Sequence, residues 1–501
     1  MPVHAVMSAG WSSPLGRLLS QARLGILACL VPPGLVDEAL AVAGRDERRW
    51  RALPARLGVY FLLALPLLAT KSYASVIRAM IPAPALPVLD RLGWRVPCSA
   101  ALSALRDRLG AVPAELLFTA MTRARPSART GWSHAFGLQL LAIDGTEIAL
   151  ADTAANAHRF RRHRGPGGNE AGPPKARLLV LLACGTRQLA GAVFDDLGRG
   201  EATLSHRLVP RLRPGTLLLA DRNFLSHRLW TSARAQGAHL LWRAKTASPR
   251  LPVDTVLPDG SYLSRLHDPD DARAWRRQVR RNRKRGHRPP KPRPVKGITV
   301  RVVEALITVT ADGATRTERY RLVTSLLDPG HAPAARIADC YARRWAAETG
   351  IRDLKTVLLA GRPLRAATPV RASQELWAAL VTYQAIRMLI ATTAARHNLD
   401  PARLSFTAAR DAAQHAITIT PAQAPAHLDW VCTDLTRQLI TKHTSHRVFP
   451  RALKNTNTRY PHRTSKHPTS TNTSYHTTIT TPPADQPTHK PTPTTAQPRA
   501  A

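Results

Sequence analysis

LQLLAIDGTEIALAD, residues 138–152, is the stretch on which the fold turns. Up to it the chain reads as helix, and from it onward short apolar runs follow one another: RLLVLLACG (177–185), QLAGAVFDD (188–196) and TLLLADRNF (216–224). Each run is strand-length and bounded by Gly, Asp or Pro, which predicts a largely buried mixed sheet. LSHRLWTSARAQ (225–236) then has helical spacing, and HLLWRAK (239–245) reads as another strand. The intervening RRHRGPGGNEAGPPK (161–175) is glycine-rich but has no helix after it, so it reads as a plain loop and not a phosphate loop.

Working outward, residues 36–130 carry helical signals without strand alternation. They include VDEALAVAGRDERRWRALPARLGVYFLLALPLL (36–68), Ser72 in a capping position, and Pro82, Pro84, Pro87 and Pro97 between segments. This predicts a helical N-terminal domain, followed by a first α/β portion at 137–246. A β-rich insertion is predicted over 247–330 from SYLSRL, ITVRVVEALITV and TERYRLVTSLL. Between the first two of these lies a basic run, Arg273 to Lys296, with 12 Lys/Arg in 24 residues and no acid. It reads either as a solvated loop or as a surface for phosphate backbone through Arg276, Arg277, Arg280, Arg281, Arg283, Lys284 and Arg285. Helical periodicity returns over 331–460. From Thr464 to Ala501, 12 Thr, 7 Pro and 3 Ser among 38 residues predict a disordered tail.

The 501 residues carry 72 Lys+Arg against 33 Asp+Glu, a formal charge of +39, which calls for a polyanionic partner. With 44% hydrophobic residues, a wholly disordered basic protein is excluded. The longest uncharged apolar run, Leu57 to Thr70, is 14 residues, short of the roughly 20 that span a bilayer, so a buried helix and no membrane are expected. The N-terminus lacks the basic-then-apolar pattern of an export signal. Five scattered cysteines without a CxxC pair predict neither disulfides nor a zinc module and fit a reducing, cytoplasmic compartment.

Two aspartates end apolar runs, Asp144 in LLAIDGT and Asp221 in LLLADRNF. Such residues either project ligands from rigid strand ends or serve as turn and capping residues. Tyr341, Arg344, Glu348 and Lys355 lie at offsets 0, 3, 7 and 14. At about 100° per residue these project near 0°, 300°, 340° and 320°, one narrow stripe on a predicted helix. The stripe reads as an ion-paired surface or as half of a site. Asp144, Asp221 and Glu348 together are three carboxylates able to hold hard cations such as magnesium for in-line phosphoryl transfer. Arg344 and Lys355 suit phosphate oxygens, and Tyr341 can donate a hydrogen bond there.

The spacing Tyr-x2-Arg-x3-Glu-x6-Lys, with Asp144-Gly-Thr and Ala220-Asp221-Arg222 before it, resembles the insertion-sequence-four type of DDE transposases. LLWRAK, LVTSLLDP, YARRWAAE, QELWAALVTYQAIR and DPARLSF also resemble that family, and 36–68 resembles its N-terminal helical domain. The resemblance implies an α/β fold with a ribonuclease-H-like catalytic core interrupted by the β-rich insertion. It also implies two Mg2+ ions, replaceable by Mn2+, on Asp144, Asp221 and Glu348. The implied activity is cut-and-paste transposition: cleavage at terminal inverted repeats, a hairpin intermediate and joining to target DNA, by a homodimer on paired ends in the prokaryotic nucleoid. For the aromatic residue that steadies a flipped base in hairpin-forming relatives, Tyr320 is the positional candidate and Trp242 the second. Cross-strand packing for Tyr320 and a core position for Trp242 are the competing readings. Asn223 stands where the family commonly has a turn glycine, and as the least costly substitute at a positive φ it is expected to let the turn survive. A non-catalytic DNA-binding relative and a nuclease without strand transfer are the alternatives of a different class.

Overall fold

The computed structural model describes residue 19 and residues 24–47, 51–123, 133–165, 167–245, 251–288, 290, 295–311, 314–420, 422–440 and 474–480. The chain divides into two compact units, Met1–Leu217 with Arg343–Thr444 and Leu218–Ala342 with Ser445–Ala501.

The first unit begins with helices α1 (Pro33–Val42), α2 (Ala55–Leu67), α3 (Tyr73–Ala79), α4 (Leu86–Arg91), α5 (Ser99–Leu109) and α6 (Val112–Met121). The apolar run read as a buried helix is α2, buried at 12 of its 13 positions. Ser72 caps α3, its hydroxyl accepting from the Ser75 N–H at 3.2 Å. Then β1 (His134–Ala135) turns through Phe136 and Gly137, both at positive φ, into β2 (Leu138–Ala149). Helix α7 (Ala154–Phe160) and the short pair β3 (His163–Arg164) and β4 (Glu170–Ala171) precede β5 (Lys175–Ala183) and β6 (Leu189–Asp196). Strands β2, β5 and β6 form an antiparallel meander, with Asp144 opposite Val180. Helix α8 (Glu201–Leu208) follows, and the chain enters β7 (Thr216–Ala220) beside the start of β2, where the Gln139 N–H donates to the Gly215 carbonyl at 2.9 Å. A meander, a helix and a return strand, in that order, are the ribonuclease-H-like arrangement.

The second unit takes the end of β7, helix α9 (His227–Ala235), β8 (His239–Ala244), β9 (Thr255–Val256), β10 (Tyr262–His267), helix α10 (Pro269–Lys284), β11 (Gly297–Ala311), β12 (Ala314–Thr324) and helix α11 (Ala334–Ala342). Its antiparallel order is β8-β12-β11-β10-β9. The first half of the basic run is helical. Asp268 caps α10 by accepting from the Asp270 N–H at 2.9 Å, Pro269 opens it, and Asp270 and Asp271 occupy the first turn with Arg281, Arg283 and Lys284 in the last. That order of charge suits the helix dipole.

The first unit resumes at Arg343. The stripe expected on one continuous helix is broken. Tyr341 lies in the last turn of α11, a turn covers 343–344, α12 is Trp345–Arg352, and residues Asp353–Leu358 form a π-helix. In the widened turn the Leu359 N–H reaches the carbonyl of Leu354, five residues back. At its start Asp353, buried, pairs with the guanidinium of Arg387 on α13 (Pro369–Arg396). Arg387 also donates to the Tyr383 hydroxyl at 3.1 Å, and that hydroxyl donates to the Arg187 carbonyl at 2.9 Å. Helix α13 is long and apolar enough to cross a membrane, but it packs against α2 and α6 as the core helix of this unit. Arg106 of α5, 1% exposed, donates to Gln374 and to the Arg371 carbonyl, both at 2.9 Å. The N-terminal helices therefore share one core with α13 instead of standing apart. Helices α14 (Phe406–His415) and α15 (Ala424–Thr436) complete the unit.

The tail departs from its expectation at one place. Residues Ser474–Ile479 form β13, antiparallel to the outer half of β11 with Ala305 opposite Ile479. Apart from Thr480, the remainder of 464–501 lies outside the described residues.

Candidate active site

Asp144 sits near the middle of β2, half-buried, with one carboxylate oxygen accepting from the Gly145 N–H at 2.9 Å. Glu348 lies in the first turn of α12. Arg344, immediately before that helix, donates to Glu348 Oε1 at 2.6 Å and holds its other terminal nitrogen 3.9 Å from Asp144 Oδ2. The guanidinium, 14% exposed, thus joins two of the three acids proposed from sequence. Burial raises the Asp144 carboxyl to about 6, and the Glu348 and Glu201 carboxylates add to the rise, while the Gly145 N–H and Arg344 oppose it.

Glu201 was missing from the sequence reading. It opens α8, and its carboxylate occupies the space that a side chain at residue 145 would need: a Cβ there would lie 2.3 Å from Glu201 Oε1. Any larger residue at 145 would have to push the Glu201 carboxylate aside. No hydrogen-bond or ion-pair partner of Glu201 is found among the described residues. Its one sequence signal is a first-turn glutamate without a cation three or four residues on. Glu147, also on β2, is different, being paired with His163 at 2.6 Å, Lys175 at 3.2 Å and Arg177 at 3.5 Å.

In the second unit Asp221 follows the last residue of β7, in a turn where the Phe224 N–H donates to the Asp221 carbonyl at 3.1 Å. The turn forms with Asn223 in it, as expected, and does so without a left-handed conformation at that residue. Tyr341 is buried, its hydroxyl donating to the Ala220 carbonyl at 3.3 Å, next to Asp221. Its ring meets Tyr320 edge-on at 6.2 Å between centroids. Tyr320, half-buried on β12, carries the Arg243 guanidinium 3.8 Å above its ring centre. Trp242 is fully buried and packs edge-on against Trp230 at 5.2 Å, so the base-stacking reading of Trp242 is corrected: it belongs to the core. Lys355 lies half-exposed in the π-helix.

Arg276, Arg277, Arg280, Arg281, Arg283, Lys284 and Arg285 are all exposed, while Ala272, Trp275, Val279 and Asn282 form the half-buried side of α10. The cations therefore occupy an outward face of a helix, a more ordered surface than a loop.

Carboxylate oxygens are the donors that hard divalent ions prefer, and Asp144 and Glu348 already share one cation, the Arg344 guanidinium. Among the described residues no three acids, histidines or cysteines form a ready cluster for a metal. The pair fits such an ion by donor chemistry.

Residues 21–119 match the family described as insertion element 4 transposase N-terminal, and residues 135–384 match the transposase DDE domain. The transposase InsG for insertion sequence element IS4 of Escherichia coli is 26% identical over 442 residues, covering 86% of this chain and 91% of that protein. The putative transposase InsZ of the same bacterium is 23% identical over 212 residues, covering 42% of this chain and 68% of its own. A cryo-EM structure of the piggyBac transposase synaptic complex with hairpin DNA aligns with 87% of this chain and 84% of its own at a TM-score of 0.39 and 10% identity. A mixed α/β chain with acids on a central strand and on a following helix is thereby a DDE transposase, an enzyme of phosphodiester cleavage and transfer. Within that class the chain belongs to the insertion-sequence-four type.

Proposed function

We propose that this chain cuts DNA at the ends of an insertion sequence and joins the freed ends to target DNA, with Asp144, Asp221 and Glu348 as the catalytic carboxylates. The observation that carries the reading is the Asp144–Arg344–Glu348 arrangement in a transposase of this family. The family's divalent ions, Mg2+ or Mn2+ and two in number, would be held by these carboxylates. They would supply Lewis acidity and a nucleophilic water or 3′-OH at neutral pH.

The chain's own residues contribute the remainder. Asp144 and Glu348 orient on a strand and a helix, which fixes them more tightly than a loop would. Arg344 and Lys355 hold phosphate oxygens. Tyr341, with its hydroxyl tied to the Ala220 carbonyl, fixes the backbone that carries Asp221. Tyr320 is the residue proposed to stack on a flipped base in a hairpin intermediate, its ring already accepting one flat cation in Arg243. The outward cations of α10 follow the backbone of flanking DNA, the N-terminal helices read the inverted repeats, and two copies act on paired ends.

Asp144→Asn, Asp221→Asn and Glu348→Gln are each expected to abolish Mg2+-dependent nicking of DNA carrying the element's ends, with end binding in gel-shift assays largely retained. Undiminished nicking by any one of them would remove that residue from the set.

A further inference from the structure

We infer that Arg344 is a built-in counter-cation that occupies the carboxylate site before the divalent ion and must leave Glu348 for the ion to bind. The inference rests on the proposed role of Asp144 and Glu348 as metal-binding carboxylates.

The carboxylates of Glu348 and Glu201 both act on Asp144, and Arg344 is the cation that faces Asp144 and Glu348. Its 2.6 Å contact uses Glu348 Oε1, the kind of oxygen a divalent ion would need, and its other terminal nitrogen lies toward Asp144 Oδ2. The guanidinium is mostly buried between them, so the contact is only weakly screened by solvent. A divalent ion held by Glu348 Oε1 and Asp144 Oδ2 would put its charge beside a guanidinium that lies 2.6 Å and 3.9 Å from those same oxygens. Like charges so close and so little screened repel, so the two cations compete for Glu348.

The competition has a use in the proposed reaction. Arg344 released from Glu348 is a planar, permanently charged group beside the reacting centre, suited to bidentate contact with phosphate. Its single side chain thus neutralises the acids without metal and turns to the DNA backbone when metal is present. Removing it should affect the two functions in opposite directions: tighter metal binding and poorer DNA processing.

The test measures Mn2+ binding to the full chain without DNA, by water-proton relaxation, with Asp144→Asn marking how much binding belongs to this site. Arg344→Gln is expected to bind Mn2+ at this site about tenfold tighter, equivalent to about 1.4 kcal/mol, while nicking less of the end-bearing DNA. Arg344→Lys, which keeps a positive charge, is expected to return toward the wild-type affinity. Mn2+ affinity unchanged or weakened in Arg344→Gln overturns the inference. Loss of no Mn2+ site in Asp144→Asn instead overturns the metal-binding reading beneath it. A second measurement needs no variant: phenylglyoxal labelling of the wild-type chain, read by mass spectrometry, should modify Arg344 faster when Mn2+ is added. Labelling at Arg344 that Mn2+ leaves unchanged or slows also overturns the inference.

Discussion

Asp144 is kept where ionisation is unfavourable. A carboxyl that holds its proton up to about pH 6, against an ordinary 3.8, binds a proton more readily folded than unfolded. Its contribution therefore falls as pH rises from the unfolded value through the folded one, and by pH 7 the ionised form costs about 3 kcal/mol. Asp144→Asn, a neutral mimic, is expected to be more stable than the parent at pH 7 by up to about 3 kcal/mol, with the gap closing toward pH 4. Thermal melts of both proteins at pH 4 and pH 7 decide this, and a variant no more stable at pH 7 refutes it. Such a stability cost is common where a side chain is kept for chemistry and not for packing. Asp144 and Glu348 could be found from sequence because each signal was local: an acid in an apolar strand, and an acid four residues from an arginine. Glu201 and Arg243 could not, because each meets its partner from a different element, and nothing in the linear order pairs α8 with β2 or β8 with Tyr320.

Elements were legible where burial imposed a period. The runs at 138–152, 177–185, 188–196 and 216–224 became β2, β5, β6 and β7 because each is mostly apolar and buried within the sheets. Helix α10 was hidden because only its half-buried side at Ala272, Trp275, Val279 and Asn282 betrays a helical period, and cations fill the rest. Its proposed contact with DNA makes a quantitative statement. If each outward arginine neutralises one phosphate, replacing Arg276, Arg277, Arg280 and Arg281 by Gln lowers the slope of log affinity against log salt by up to about 3.6, since each contact contributes roughly 0.9. Filter binding over a salt series measures this, and an unaltered slope would leave α10 without a phosphate role. The π-helix was illegible for another reason: its first residue, Asp353, meets its partner Arg387 34 residues away in sequence. Removing Asp353 leaves Arg387, 1% exposed, as a buried unpaired charge. Asp353→Ala is accordingly expected to cost about 3–5 kcal/mol in denaturant unfolding, and a loss under about 1 kcal/mol would mean that water or another acid takes over the pairing.

At the scale of the whole chain, a charge of +39 leaves folding to proceed against self-repulsion, and DNA, the family's partner, offsets it. Composition alone assigned the Thr- and Pro-rich tail no structure, because it lacks apolar residues for a core. A strand on a sheet edge has a different requirement: backbone hydrogen bonds and β-branched residues suffice, and 474–479, SYHTTI, supplies three of the latter. It pairs with residues 305–310 of β11, continuing the edge that β10 covers along residues 297–302. The Thr480 N–H extends the ladder to the Glu304 carbonyl at 3.0 Å. Without the tail, the outer half of β11 would present a row of unpaired backbone donors and acceptors, a template for another chain. A chain truncated after Arg463 is therefore expected to keep its fold but self-associate with rising concentration. Adding a synthetic peptide of residues 472–481 should reverse the association by refilling the edge. Sedimentation velocity across a concentration series reads both effects. A truncated chain that sediments as the full one does at every concentration would show that β13 protects nothing, whereas association that the peptide does not reverse would place the sticky surface elsewhere than on β11.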